Sequence, residues 1–150
     1  MDYKEVVGDL FKDTDSEARL QCISHDCRMG KGIAVEFRKR YPMMQGWLMV
    51  VIKGHTFVPS ALLYKGDIIE GIPVINLITK KRAWDKPTME TLKKSLEVAK
   101  EVIIEHNIKR ITAPIIGCGL DGLNWSRVSE LIKETFKDTD VNITIYKLKE

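Results

Sequence analysis

Residues 72–79 read Ile-Pro-Val-Ile-Asn-Leu-Ile-Thr and run straight into Lys80. A strand with apolar residues at consecutive positions, not alternate ones, must be covered on both faces, which is how the parallel strands of α/β sheets read. Residues 20–24 (Leu-Gln-Cys-Ile-Ser) have the same character. Helical patterns are interleaved with these runs. In residues 88–106, Met89, Leu92, Leu96, Ala99 and Ile103 share one face, and Asn107 is a natural stop. Asn124 can cap a helix through Phe136 that buries Val128, Leu131, Ile132 and Phe136, and a shorter helix over 32–40 carries Ile33 and Phe37 until Pro42 ends it. Further strands are expected at 4–7, 56–58, 61–64, 110–113 and 141–146, with a turn at 65–67, while 43–51 fits helix and strand equally. Strands alternating with helices predict an α/β fold with a mixed, largely parallel sheet covered on both faces.

A chain of 150 residues corresponds to about one domain, here residues 1–150, and can bury roughly two-thirds of its unfolded surface. The hydrophobic fraction of 44% and charged fraction of 30% are those of a soluble globular protein. Net charge is +3 with the two signs interleaved, a weak argument for nucleic-acid binding that leaves a local basic patch open. No apolar stretch approaches the ~20 residues of a membrane helix. Cys22, Cys27 and Cys118 are an odd number, and Met1-Asp2-Tyr3-Lys4 leads at once into a strand, so an intracellular protein without disulfides is expected. Neither these cysteines nor His25, His55 and His106 have metal-ligand spacing, so no metal and no cofactor are expected.

Chemistry is concentrated at strand ends, where active sites of α/β folds are built. Asp26-Cys27-Arg28-Met29-Gly30-Lys31-Gly32-Ile33-Ala34 joins a strand to a helix, and its glycines let backbone N–H groups approach an anion at the helix start. Neither a Walker nor a dinucleotide spacing is present, and a plain tight turn would use the same glycines. Gly117-Cys118-Gly119-Leu120-Asp121-Gly122 repeats the arrangement after another strand, and Asp121 reads equally as a turn cap or a catalytic carboxylate. Lys80 precedes Lys81 and Arg82. Such a run is ordinarily a solvated edge, but an apolar strand behind it and cations beside it are also what lowers a lysine pKa enough for nucleophilic work. Asp9, in Gly8-Asp9-Leu10-Phe11, can accept from an exocyclic amine or form a turn. Trp84 and Trp125 lie near the two loops and read as core packing or as shields of the site.

Taken in order, several segments resemble the macrodomain family: Gly8-Asp9-Leu10-Phe11, Cys22-Ile23-Ser24 with the Asp26 to Ala34 segment, Leu77-Ile78-Thr79-Lys80-Lys81-Arg82-Ala83, Lys86-Pro87-Thr88 and the Gly117 loop. The likeness spans nearly the whole chain, ending at Ile143-Thr144-Ile145-Tyr146-Lys147-Leu148, and is nearest the terminal ADP-ribose protein glycohydrolase subclass. It departs at Ile115, where the family pattern has arginine, at residues 43–65, and at Trp84-Asp85.

This resemblance implies a three-layer α/β/α sandwich that binds ADP-ribose at the strand ends. By that likeness Asp9 recognises adenine with Leu10 beside it. Arg28, Met29, Gly30, Gly32, Ile33 and Ala34, with Ile115, Ile116, Gly117, Cys118, Gly119 and Leu120, surround the diphosphate and distal ribose. Ser24, Thr79 and Leu148 also contact ligand, Lys80 is the nucleophile and Asp121 its acidic partner. The implied activity removes ADP-ribose from glutamate or aspartate through a lysyl–ADP-ribose intermediate, with deacylation of O-acyl-ADP-ribose beside it. The implied partners are ADP-ribose and ADP-ribosylated protein, with ADP-ribosylated nucleic acid as an alternative; a monomer that meets no membrane is expected. The alternatives are hydrolysis of ADP-ribosylated DNA bases or ADP-ribose 1''-phosphate, and a non-catalytic reader of ADP-ribose.

Overall fold

A computed structural model describes residues 1–67, 70–117 and 121–147. Strands β1 (Asp2–Val7), β2 (Ala18–Ser24), β3 (Ser60–Tyr64), β4 (Val74–Lys80), β5 (Arg110–Ala113) and β6 (Asn142–Lys147) form one sheet in the order β1-β6-β5-β2-β4-β3. All neighbours are parallel except β3, which runs antiparallel to β4 at one edge. Helices α1 (Ile33–Arg40), α2 (Met44–Ile52), α3 (Met89–Glu105) and α4 (Trp125–Phe136) cover it, and a single 3-10 turn spans Leu10–Lys12.

Strand alternation divides the core in two. Ile75 and Leu77 of β4 and Leu20 of β2 pack with Leu92, Leu96, Ala99 and Ile103 of α3 and with Val128, Ile132 and Phe136 of α4. Val74 and Ile78 of β4 and Ile23 of β2 turn the other way, onto Phe37 of α1 and Met44, Leu48 and Ile52 of α2. The sheet covered on both faces that the two apolar strands predict is therefore present, and with it the three-layer α/β/α sandwich that the family resemblance implies. In its middle, Gln21 and Asn76 are opposite each other in the β2–β4 register and share an amide hydrogen bond of 2.9 Å. Thr88 caps α3 through the Thr91 N–H. Asn107, at φ 54°, ends the helix with Ile108 N–H donating to Ile103 O at 3.0 Å, so the stop signal was correct.

Two segments needed the structure. Of residues 43–51, all but Met43, the N-cap, lie in helix α2, with Met44, Leu48 and Ile52 buried on one stripe. Met49, Val50 and Val51 on the exposed side are also apolar, which erased the periodicity. Residues 56–58 form no strand. The segment does not add to the open side of β3, which stays the sheet edge, and Val58 is exposed.

At the other edge β1 is fastened by Glu5, whose carboxylate meets Lys147 Nζ at 2.7 Å, Tyr3 Oη at 2.7 Å and Trp125 Nε1 at 3.2 Å. The Lys147 bond first, then those from Tyr3 and Trp125, pull the Glu5 pKa down to about 2 against a smaller opposing effect of burial. A depressed folded-state pKa gives stability that is present above the ordinary glutamate value of 4.5 and lost as pH falls toward about 2. Glu5→Gln is therefore expected to lower Tm at pH 7, with the difference from wild type shrinking between pH 4.5 and 2. Melting curves across that range check it, and a constant difference would show that Glu5 acts through packing alone.

Candidate active site

Because β1, β5, β2 and β4 run in parallel, their C-terminal ends lie along one edge, and the predicted residues collect there. Asp9 follows β1 and Lys80 ends β4, four strand spacings apart, or about 19 Å at ~4.8 Å each. That is the scale of an extended dinucleotide-sized ligand, not of a single sugar.

The central contact is Lys80 Nζ to Asp121 Oδ1 at 2.8 Å, with the two side chains 14% and 19% exposed. Lys80 is held by its strand, where His25 N–H donates to Lys80 O at 2.8 Å. Asp121 is held by its loop, which closes where Leu123 N–H donates to Gly117 O at 2.8 Å. Gly117 itself has φ +72°, and a Cβ there would lie 3.0 Å from Leu123 Cδ1, so this turn needs glycine. The local alternatives for Lys80 and Asp121, a solvated edge and a turn cap, give way to a partly buried amine–carboxylate pair. Beside it lies Cys22, whose thiol is pushed up to about 12, chiefly by burial and further by the Asp121 charge. It stays a neutral thiol.

The β2–α1 loop is braced from two sides. Gln45 Nε2 donates to Cys27 O at 2.8 Å and to Arg28 O at 3.0 Å. In a trans peptide the following N–H points the opposite way, so the Met29 amide is turned away from α2. Asp26 takes Ser24 Oγ–H at 2.5 Å, Ala83 N–H at 2.9 Å and Arg28 N–H at 3.4 Å. Burial pushes its carboxyl up, but these bonds and the Arg28 charge outweigh that and hold it below the usual carboxylate range. Cys27 at φ 57° and Met29 at φ 50° are left-handed without being glycine, the local strain that clusters at ligand-binding loops. Gly32, at φ 63°, opens α1 with no side-chain cap, and apart from Val35 N–H, which donates to Gly32 O at 3.2 Å, the start of the first turn is open to an anion. Gly30 has ordinary φ and open space where a Cβ would go.

The other predicted residues fall into three groups. Arg28, Gly30 and Asp9 are exposed, and Ile33, Ala34 and Ile115 are half-buried around the edge. Asp9 caps the 3-10 turn, its Oδ1 accepting from Phe11 N–H at 3.0 Å, so one oxygen is used by the fold. Leu10, Ser24, Met29, Thr79 and Ile116 have buried side chains and would meet a ligand through backbone or as the floor beneath it. Cys118, Gly119, Leu120 and Leu148 lie outside the described residues.

Sequence reasoning gave Asp26 no role, though an aspartate two residues beyond a strand, able to bond the backbone two residues on, was a usable signal. Of the two uses read for Trp84, core packing and a shield of the site, packing does not hold: the indole is 63% exposed, with the Arg28 guanidinium 5.2 Å and that of Arg82 5.4 Å from its ring centre. Two cavities lie off the strand edge. One of about 390 Å³ sits between the β2–α1 loop and α2, lined by His25, Asp26, Cys27 and Met49 among others. One of about 720 Å³ lies by the start of β1, β5 and β6 and holds none of the predicted residues.

The family model for the Macro domain matches residues 23–132, which include the end of β2, the Asp26 to Ala34 loop, Lys80 and Asp121. The chain belongs to the Macro domain family. It is 42% identical over 143 residues to the ADP-ribose glycohydrolase OARD1 of Homo sapiens, a match covering 95% of this chain and 90% of that one. The DNA ADP-ribosyl glycohydrolase of Mycobacterium tuberculosis is 31% identical over 93% of this macrodomain, which spans only 40% of that longer protein. Among solved structures, the macrodomain of Mycobacterium tuberculosis DarG superposes with a TM-score of 0.87 at 29% identity, covering 96% of each chain. Among the described residues, no helix of this macrodomain is long and apolar enough to cross a membrane.

Proposed function

We propose that this macrodomain, formed by residues 1–150 as one unit, is an intracellular, monomeric hydrolase. It binds ADP-ribose along the strand edge and releases it from modified glutamate or aspartate side chains. The observation that carries this reading is the 2.8 Å contact between Lys80 Nζ and Asp121 Oδ1 at the C-terminal end of β4. A site that only held ADP-ribose would need the loops and the adenine end but neither reactive group. Likeness to the ADP-ribose glycohydrolase OARD1 over nearly the whole chain supports the hydrolase class and the ligand.

The mechanism follows from the pair. Asp9 holds the adenine end, and the uncapped start of α1 with the Gly117 loop holds the diphosphate, which places the distal ribose at Lys80. Lys80 gives a proton to Asp121, and the amine lone pair attacks the anomeric carbon. The bond from that carbon to the ester oxygen breaks, and the electron pair leaves with the substrate carboxylate. Water then replaces the lysine: Asp121 relays protons, and the amine departs to regenerate the pair. O-acyl-ADP-ribose carries an ester of the same kind and is expected to be deacylated. A second reading, cleavage of ADP-ribose from a DNA base, is favoured by the likeness to the DNA ADP-ribosyl glycohydrolase. It would use the same pair with a nitrogen leaving group.

The experiment is release of free ADP-ribose from glutamate-linked mono-ADP-ribosylated protein, followed in parallel with ADP-ribosylated single-stranded DNA. Release from the protein and not the DNA establishes the first reading, and the converse establishes the second. Asp121→Asn keeps the shape of the carboxylate but cannot take the proton, and is expected to lose about 10²–10⁴-fold in kcat while still binding ADP-ribose. Wild-type turnover in that variant would remove Asp121 from the mechanism.

A further inference from the structure

Trp84 is the only aromatic side chain among the exposed large hydrophobic residues described, and it stands four residues beyond Lys80. Nothing in the core explains it, since 63% of its surface faces water. Its setting is nevertheless built. Arg28 and Arg82 both lie against the ring, at 5.2 Å and 5.4 Å. Each guanidinium is tethered through Nε, Arg28 to Asp26 at 3.5 Å and Arg82 to Asp85 at 3.3 Å, while the side chains stay 65% and 53% exposed. Asp26 also takes the Ala83 N–H at 2.9 Å, which fastens the peptide just before Trp84 to the β2–α1 loop. The two loops flanking Lys80 are thus joined beside an exposed indole that carries two largely exposed guanidiniums against its ring. Lys31 and Lys81, both exposed, add positive charge on the same two loops.

We propose that Arg28, Trp84 and Arg82 form a docking platform for single-stranded nucleic acid passing the mouth of the Lys80 site. A ring bearing cations on a preorganised rim matches a ligand that alternates π-faces with negative charges, and single-stranded nucleic acid is the polymer built that way. An acidic peptide satisfies the arginines but gives the indole nothing to stack on, and an exposed indole held in place is the feature to be explained. The chain's net charge of +3 is too small to attract polyanions globally, so the attraction is local to this rim. That the platform lies on the side where a leaving group departs rests on the hydrolase reading above. Binding of the strand does not. If both hold, ADP-ribose attached to a strand is delivered to Lys80 with a neighbouring base on Trp84, and strand-linked substrates gain in KM.

The test is fluorescence anisotropy of a labelled ten-nucleotide thymidine strand titrated with wild type, Trp84→Ala, Trp84→Phe, Arg82→Gln and Lys80→Ala. Free ADP-ribose affinity is measured in parallel. Expected are binding by wild type that weakens as salt rises, about a tenfold loss in Trp84→Ala, and a smaller loss in Trp84→Phe. Lys80→Ala is expected to bind the strand as wild type does, and Trp84→Ala to bind ADP-ribose as wild type does. The proposal is overturned if wild type does not bind the strand, or if Trp84→Ala binds it equally well. It is also overturned if a ten-residue polyglutamate competes as strongly as unlabelled strand, which would make the rim a reader of charge alone. Strand binding through Trp84 in a protein that hydrolyses nothing would sink the hydrolase reading and leave the platform standing.

Discussion

Replacing Lys80 by arginine is expected to abolish turnover while leaving ADP-ribose binding in place. Arginine keeps the positive charge opposite Asp121, so the ion pair seen at 2.8 Å has a successor and the site stays electrostatically balanced. It cannot be deprotonated in a protein, so no lone pair is available to attack carbon. Lys80→Ala is expected to lose as much activity, by roughly three orders of magnitude or more, because both remove the nucleophile. The alanine variant, however, leaves the partly buried Asp121 without its cation, so its binding is the less clean readout. Two measurements decide it: initial rates of ADP-ribose release, and intact-protein mass after acid quenching of a single turnover. Wild type should show the mass of one added ADP-ribose, Asp121→Asn, which cannot take the Lys80 proton, far less of it, and the Lys80 variants none. An arginine variant that turns over at the wild-type rate would end the covalent mechanism and require an activated water.

Why that pair was hard to find locally is instructive. Lys80 and Asp121 are 41 residues apart, and each has an ordinary explanation in its own surroundings. They meet because β5 and β4 are separated in the sheet by β2 alone, a fact of strand order that no local pattern records. Only the ordered set of macrodomain-like segments, read together, pointed to their meeting. The sheet itself was more legible. β2 and β4 are apolar on both faces because helices cover both, and α3 carries its stop in Asn107, whose left-handed φ the sequence anticipates. Helix α2 failed to announce itself because its exposed face is as apolar as its buried one. The 56–58 strand was wrongly expected because Thr, Phe and Val have β propensity whether or not a neighbouring strand exists. Asp26 was given no role for a like reason: its bond to Ala83 spans 57 residues.

The largest stability effect is expected at Arg19, which is completely buried in β2. Its guanidinium donates to Tyr41 Oη at 3.0 Å, Phe11 O at 3.2 Å and Asp13 O at 3.3 Å, and pairs with Glu70 Oε1 at 3.1 Å. Its Cζ also lies 5.1 Å from the Phe11 ring centre. Tyr41 in turn donates to Ile72 O at 2.6 Å, so one cation links β2, the turn after β1, α1 and the entry to β4. Removing one partner of a buried pair strands the others, typically at about 3–5 kcal/mol, a large share of the ~5–15 kcal/mol that holds a domain folded. Arg19→Ala is therefore expected to lower the urea midpoint severely or to leave the chain unfolded. Arg19→Met separates the two contributions. It fills most of the space but still leaves two carbonyls, a phenol and a carboxylate without their donor, so it should recover only the packing part. Because Phe11 and Asp13 belong to the turn that Asp9 caps, the methionine variant should also bind ADP-ribose more weakly even where it is fully folded. A methionine variant as stable as wild type, with undiminished ADP-ribose affinity, would show that the guanidinium only occupies volume and that Asp9 is positioned without it.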